Sequence, residues 1–344
     1  MHRCIELAKL GAGNVAPNPM VGAVLVYDDK IIGEGYHKQY GGPHAEVNAI
    51  GRDAQSGLKS MLSKSTLYVS LEPCAHHGKT PPCTDLIIQH KIPKVVIGCR
   101  DPFIEVNGKG IEKLKSAGVE VVLGILEEEC KELNKRFFTF HTLRRPYIIL
   151  KWAETSDAFI ANADYSRVFI TNEYTNRLVH QWRSEEAAIL IGTNTALHDN
   201  PELTTRLVEG KNPVRLVVDT NLKLPTSLKI FNRGTTAIIF NGIKNEDDNN
   251  LLYRRLNNDE NIIGQMLKIL YDLKIQSVIV EGGAKLLQSF IDEGCWDEAR
   301  IITNKELKIE NGIKSPLLKN YTLQQTETIL SGTINYYKQT SGNQ

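Results

Sequence analysis

Gly41-Gly-Pro-His44-Ala-Glu46 and Leu71-Glu-Pro-Cys74-Ala-His-His-Gly-Lys-Thr-Pro-Pro-Cys83 decide how the first half of this chain reads. One imidazole and two thiolates, from His44, Cys74 and Cys83, make a three-ligand zinc set. Three protein ligands leave the fourth tetrahedral position to water, which separates a catalytic zinc from a structural one. Zinc brings such a water to ionise near neutral pH, fit to attack an amino-substituted ring carbon. Glu46, two residues beyond a ligand, is the candidate to carry a proton to the departing amine. Cys83 follows two prolines at a helix start, where free N–H groups and the helix dipole favour a thiolate. Residues two apart on a helix point to roughly opposite sides, so His44 and Glu46 share a site only where the helix begins. The competing readings are a structural zinc and a set of inert core cysteines. His76 and His77, between the two cysteines, read as substrate-facing or structural rather than as ligands.

Outward from the motif the chain alternates strand and helix patterns. Residues 21–27 and 31–36 form a hairpin pattern around Asp28-Asp29-Lys30, and a helix is expected from near Pro43. Strands follow at 66–71, 94–99 and 119–123, and helices at 83–91 and 110–117. A longer helix over 127–143 closes the half, acidic in its first turn and basic at its end. This alternation gives an α/β fold, a mixed sheet covered by helices. Leu143-Arg-Arg-Pro146 is the best boundary. Beyond it strands are expected at 147–151, 187–191, 214–219, 236–240, 277–280 and 299–303, and helices at 173–182, 264–273 and 284–293. Residues 241–262, rich in Asn, Asp and Glu, read as an exposed excursion.

Bulk properties narrow the function. A chain of 344 residues has the length of two domains. Its 41% hydrophobic and 24% charged residues suit a globular protein, and a net charge of +1 makes no electrostatic case for nucleic acid or a membrane surface. A small-molecule substrate fits better. No secretory pattern and no run of about 18 apolar residues is found, so the six cysteines read as reduced thiols in a cytoplasmic protein. Gly11-Ala-Gly13-Asn-Val-Ala16 partly matches a dinucleotide fingerprint, but it follows a helix pattern where a strand is required. In the second half, the apolar strand 277–280 runs into Glu281-Gly-Gly and a helix start. That pattern suits a cofactor pyrophosphate, and equally an ordinary tight turn.

Zinc deaminases carry His-x-Glu followed by Pro-Cys-x-x-Cys; here eight residues separate Cys74 from Cys83. That longer loop, and Ala16-Pro-Asn-Pro-Met-Val-Gly22 upstream, resemble the bifunctional riboflavin-biosynthesis deaminase–reductase family. The resemblance extends over essentially the whole chain. In the second half it rests on Leu150-Lys-Trp-Ala-Glu-Thr-Ser-Asp157, Ile170-Thr171, Arg183, the stretch Gly192–Arg206 and Glu281-Gly-Gly. It implies a cytidine-deaminase-like three-layer α/β domain over 1–143, a linker at 144–146 and a dihydrofolate-reductase-like α/β domain over 147–344.

The resemblance also implies that His44, Cys74 and Cys83 hold Zn2+, that Glu46 is catalytic, and that Asn18, Lys79 and Thr80 meet the deaminase substrate. In the reductase domain, Arg167, Arg183, Leu203, Arg206 and Glu281 border the substrate, Arg183 and Arg206 suiting a ribose phosphate. Lys151, Ala153, Phe169, Thr195, Asp199, Gly282, Gly283, Ala284, Lys285, Leu286 and Leu287 border NADPH. The implied chemistry is hydrolytic deamination of a phosphoribosyl diaminopyrimidine, then hydride reduction of its ribosyl chain to a ribityl chain by a homo-oligomeric enzyme. Two departures bear on the second half: Ala158 and Phe169 stand where the family usually has glycine and tryptophan. They leave open the alternative of a deaminase joined to a reductase-like module that only binds ligand.

Overall fold

The computed structural model describes residues 1–51, 60–77, 81–166 and 168–340. The chain divides into two units, Met1–Arg144 and Arg145–Gln344.

In the first unit, β1 (Gly22–Tyr27) and β2 (Lys30–Tyr36) form the expected hairpin, turning through left-handed Asp28 and Asp29. β3 (Thr66–Leu71), β4 (Lys94–Cys99) and β5 (Glu120–Leu123) complete a five-stranded sheet in the order β2-β1-β3-β4-β5. The β1 pairings are antiparallel and those among β3, β4 and β5 parallel, so the sheet is mixed as its pattern predicts. α2 (Ala45–Ile50), α3 (Cys83–Gln89) and α4 (Lys109–Ser116) bury Ala49, Ile87 and Leu114 with Leu25, Leu67 and Ile97 on one face. α1 (His2–Lys9) and α5 (Glu127–Leu133) cover the other face through Ile5, Leu7 and Cys130, against Val24, Leu71 and Cys99. Three layers result.

The expected single helix over 127–143 is two, α5 and α6 (Lys135–Leu143), broken at Asn134 with φ −112° and ψ 25°. The buried Asn134 amide donates to the Met20 carbonyl and accepts from the Met20 N–H, both at 2.8 Å. Periodicity cannot reveal such a side-chain bond.

In the second unit seven strands run parallel: β6 (Tyr147–Thr155), β8 (Ala188–Gly192), β9 (Val214–Val218), β10 (Ala237–Asn241), β12 (Leu251–Arg255), β13 (Ser277–Val280) and β14 (Glu298–Asn304). β11 (Glu246–Asp248) at one edge, and β17 (Gly332–Gln339) with β16 (Tyr321–Ile329) at the other, are antiparallel. The order is β11-β12-β10-β9-β8-β13-β6-β14-β17-β16. β7 (Phe159–Asn162) and β15 (Gly312–Lys314) form a separate ribbon. α9 (Ile262–Asp272) and α10 (Ala284–Asp292) pack on one face of the large sheet, α7 (Glu173–Glu185) and α8 (Thr193–Asp199) on the other.

Residues 241–262 are not an exposed excursion. They carry β12, which pairs in parallel with β10 and buries Leu251, while Leu256 just beyond it joins the core. Asp247 and Asp248 belong to the edge strand β11, while Asn249, Asn250, Asn258 and Asp259 lie in the turns that flank β12.

Asp157-Ala158 forms the turn after β6, and Ala158 holds φ +63°, the left-handed region that favours glycine. The turn is fixed from outside: the Asp157 carboxylate accepts from the N–H groups of Ile309 and Glu310. A left-handed non-glycine residue costs roughly 1–2 kcal/mol, against a smaller entropic gain for alanine over glycine in the unfolded chain. Ala158→Gly should therefore raise stability by about 0.5–1 kcal/mol, seen as a higher Tm; an unchanged or lowered Tm would contradict this account of the turn.

Candidate active sites

The first site is assembled by a close approach. A Cβ on Gly35 would lie 2.3 Å from the Ala49 nitrogen and 2.5 Å from the Ala45 carbonyl oxygen, and one on Gly33 would lie 2.2 Å from the Ala49 carbonyl oxygen. These two glycines let α2 rest directly on β2, which sets the depth of His44 and Glu46. His44 is the N-cap of α2, with ψ 167°, and so precedes the helical geometry. The problem of two residues on opposite helical faces dissolves, because only Glu46 lies within the helix. Cys74 follows β3, and Cys83 opens α3 behind Pro82. The Cys83 N–H donates to the Cys74 sulfur at 3.4 Å, and the Thr84 N–H and hydroxyl both donate to the Cys74 carbonyl at 3.2 Å. The start of α3 thereby clasps the loop that carries Cys74.

His44 Nδ1 lies 3.6 Å from Cys74 Sγ and 3.3 Å from Cys83 Sγ, and the three ligand atoms fall within 4.8 Å of one another. Among the described residues no fourth His, Cys, Asp or Glu joins them. Hydrogen bonds from Cys83 and His44 outweigh burial and push the Cys74 thiol down to about 4. The hydrogen bond to Cys74, reinforced by burial, pushes Cys83 up. One proton thus stays with the sulfur pair, and a separate hydrogen bond between His44 and Cys74 raises His44. These are the protons that a dication displaces. A borderline-soft nitrogen and two sulfurs, partly buried and mutually close, fit zinc. Glu46 is buried beside them, and burial raises its carboxyl.

Asn18 Nδ2 lies 3.2 Å from Nε2 of His37, whose Nδ1 lies 3.0 Å from the Pro43 carbonyl oxygen. A carbonyl only accepts, so His37 carries its proton on Nδ1 and accepts from Asn18 at Nε2. Burial lowers His37, consistent with a neutral ring. His37 is the residue that sequence reading missed here; it stands just after β2 with no motif around it. His76 and His77 lie outside the ligand cluster, and the buried Nδ1 of His76 has no hydrogen-bond partner among the described residues. Lys79 and Thr80 fall outside the described residues.

The second site is a cleft of about 1290 Å³. After β6 the chain moves to β8, β9, β10 and β12 on one side, then returns through β13 to β14 on the other. Ligands of parallel α/β sheets bind at such a switch, outside the carboxyl ends of the strands. The cleft gathers Lys151, Ala153, Arg183, Thr195, Asp199, Leu203, Arg206, Glu281 and the turn Gly282–Leu287. Phe169 is not on its wall: the residue is 73% exposed, while Val168 and Ile170 line the cleft. Arg167 falls outside the described residues.

Arg183, expected beside the substrate, is also held within the protein. Its Nε and Nη2 donate to the Glu281 carboxylate at 2.8 and 2.6 Å, and Lys151 Nζ stands 3.8 Å from the same group. Burial alone would raise Glu281, but Arg183 and Lys151 outweigh it and hold the carboxyl at about 2. Burial lowers Lys151, with Glu281 opposing. His180, also unread in the sequence, lines the cleft and accepts the Arg206 N–H at 3.0 Å. Burial, with Arg183 and Arg206 adding to it, pushes His180 down to about 4, so it stays neutral at physiological pH.

A zinc-type donor set beside a buried carboxyl, and a switch-point cleft on a mostly parallel sheet, define a deaminase unit joined to a reductase-type unit. Residues 1–99 match the family model for the cytidine and deoxycytidylate deaminase zinc-binding region, and residues 146–304 match the RibD C-terminal domain. Riboflavin biosynthesis protein RibD of Aquifex aeolicus is 44% identical over 306 residues, covering 86% of this chain and 83% of the relative. That of Bacillus amyloliquefaciens is 40% identical over 307 residues, covering 87% and 81%. A crystal structure of a diaminohydroxyphosphoribosylaminopyrimidine deaminase/5-amino-6-(5-phosphoribosylamino)uracil reductase from Thermotoga maritima superposes with a TM-score of 0.88. It is 38% identical and covers 98% of this chain and 97% of that one. Acinetobacter baumannii RibD superposes at 0.89 with 30% identity, covering 99% and 98%. The chain belongs to the RibD family, and is a riboflavin-biosynthesis enzyme with deaminase and reductase activities.

The approach of α2 to β2 is testable. Gly35→Ala should cost about 1–3 kcal/mol by overpacking and lower the zinc bound per chain, measured by atomic emission. Wild-type zinc content in a folded Gly35→Ala protein would show that this contact does not set the site.

Proposed function

We propose that the chain hydrolytically deaminates a diaminopyrimidine bearing a phosphoribosylamino group, and then reduces the ribosyl chain of the product with NADPH. Residues 1–143 carry the first reaction and 147–344 the second, with 144–146 between them. The observation that carries this reading is the set of one nitrogen and two sulfurs within 4.8 Å, with the buried carboxyl of Glu46 alongside. The substrate is that of the Thermotoga maritima relative.

His44, Cys74 and Cys83 hold the metal. Zinc, when bound, supplies the Lewis acidity that makes water nucleophilic near neutral pH. Glu46 takes the proton of the attacking water and passes it to the leaving amine. Its raised affinity for a proton in the buried setting suits a group that must both accept and return one. Asn18, its amide oriented by His37, offers its carbonyl oxygen to a ring donor. Lys79 and Thr80 meet the polar end of the substrate.

In the second unit the glycine turn at 282–283, with Ala153, Thr195, Asp199 and Ala284–Leu287, seats the cofactor, which supplies the hydride when bound. Leu203, Arg206, Arg183 and Glu281 border the substrate. The Glu281 carboxylate fixes the Arg183 guanidinium and draws Lys151 toward the same point, so Lys151 is the candidate to donate a proton as the ribosyl ring opens. For Arg167 and Phe169 the support is the sequence resemblance alone. Residence in the cytoplasm and assembly into a homo-oligomer belong to the same reading.

Glu46→Gln should keep about one zinc per chain and lose deamination by roughly 10²–10⁴-fold, the range for general acid–base groups. Product mass spectrometry on the diaminopyrimidine phosphoribosyl compound, run with and without NADPH, reads both half-reactions. Undiminished ammonia release by Glu46→Gln would remove Glu46 from the mechanism, and no NADPH-dependent mass gain of two hydrogens would leave a deaminase with a ligand-binding module.

A further inference from the structure

On the wall of the second cleft, Glu202 holds two cations at once. Its Oε2 lies 3.0 Å from Arg206 Nη1, and its Oε1 lies 3.1 Å from Lys229 Nζ. Ion pairs this exposed contribute little on their own, with side chains 43–52% accessible. What sets the group apart is the rigidity behind it. Lys229 sits on a short 3₁₀ turn, Lys229–Phe231, whose first N–H donates to the Asn200 side chain at 2.8 Å. The carbonyl of Lys229 accepts from Nη1 of Arg215 at 2.9 Å, and Nη2 of Arg215 donates to the carbonyls of Asn232 and Thr235. Arg215 is only 3% exposed. A buried guanidinium is costly, and this one is engaged in fixing the backbone of one surface turn. On the facing segment, the Arg206 N–H is held by His180. Two cations on independently locked backbones, both lining the cleft, are bridged by a carboxylate on a partly exposed side chain.

We propose that Lys229 and Arg206 form a phosphomonoester subsite, and that the Glu202 carboxylate stands in for the phosphate when the cleft is free. The carboxylate offers one negative charge on two oxygens. A phosphomonoester brings nearly two charges on three terminal oxygens, so it satisfies both cations better while the weakly held Glu202 swings into water. The proposal rests on the reductase reading of the cleft and extends it to Lys229 and Glu202. The ligands of that reading carry two such groups, the 5′-phosphate of the ribosyl chain and the 2′-phosphate of NADPH, and the subsite chemistry is common to both.

Isothermal titration of the zinc-loaded, full-length protein separates the two sources. The probes are ribose 5-phosphate against ribose, and adenosine 2′-phosphate against adenosine. Lys229→Gln should weaken one of the two phosphomonoesters about tenfold, the loss of one charge-assisted contact. Lys229→Arg should restore most of it, and Glu202→Gln should tighten the same probe roughly threefold by removing the competing carboxylate. The unphosphorylated partners should not respond. Weakening of ribose 5-phosphate assigns the subsite to the substrate, and weakening of adenosine 2′-phosphate assigns it to the cofactor. Unchanged affinity of Lys229→Gln for both probes, with an unchanged Tm, overturns the proposal, as does failure of the parent protein to bind either. Absence of NADPH oxidation by the parent protein would instead overturn the reductase reading and leave the binding result standing.

Discussion

A nitrogen and two sulfurs gathered within 4.8 Å, on partly buried side chains, is the arrangement around which the first unit is built. Two thiolates at that spacing repel one another, and without a cation the pair keeps a proton that a metal must displace. The surrounding chain keeps the donors converged despite that repulsion. Gly33 and Gly35 admit α2, Pro82 starts α3, and the N–H of Cys83 reaches back to Cys74. Glu72, two residues before Cys74, is buried and accepts from the N–H groups of Asp101, Gly108, Gly110 and Ile111. A single carboxylate thus ties the approach to Cys74 to the loop that leads into α4. Each of these contacts is local, and together they turn three residues distant in sequence into one ligand set.

The second unit solves a different problem. Among the described residues no metal-ligating cluster lies in its cleft, whose position follows from strand order: β13 enters between β8 and β6, and the ends of these strands open the wall. Charge then organises the interior. Glu281 sets one negative charge against two cations, close to Arg183 and farther from Lys151, which makes the buried cluster tolerable and orients both cations. Breaking that triad by removing Glu281 would leave two cations short of a partner, so the carboxylate is as structural as it is functional.

The zinc motif was legible because its chemistry demands particular residue types at a strand end and a helix start, and those signals are local. Strands 66–71, 94–99 and 277–280 were equally legible as short apolar runs bounded by turn residues. β12 was hidden because its apolar core is short and lies amid Asn and Asp. The break at Asn134 was hidden because its cause is a bond to Met20, 114 residues away. The C-terminal hairpin β16–β17 escaped because β16 is exposed along most of its length and lacks the alternation that marks a half-buried strand. His37, His180 and Lys229 share one reason for their silence: each acquires its setting only when separate segments meet. The pairing of Arg183 with Glu281 was hidden for the same reason, since the two lie 98 residues apart.

X-ray absorption at the zinc edge of the purified protein tests the central claim most directly. The account predicts one zinc with two sulfur scatterers at about 2.3 Å, one imidazole nitrogen at about 2.0 Å and one further light atom from solvent. A shell of three or more sulfurs, or one with two imidazoles and no solvent atom, would contradict it.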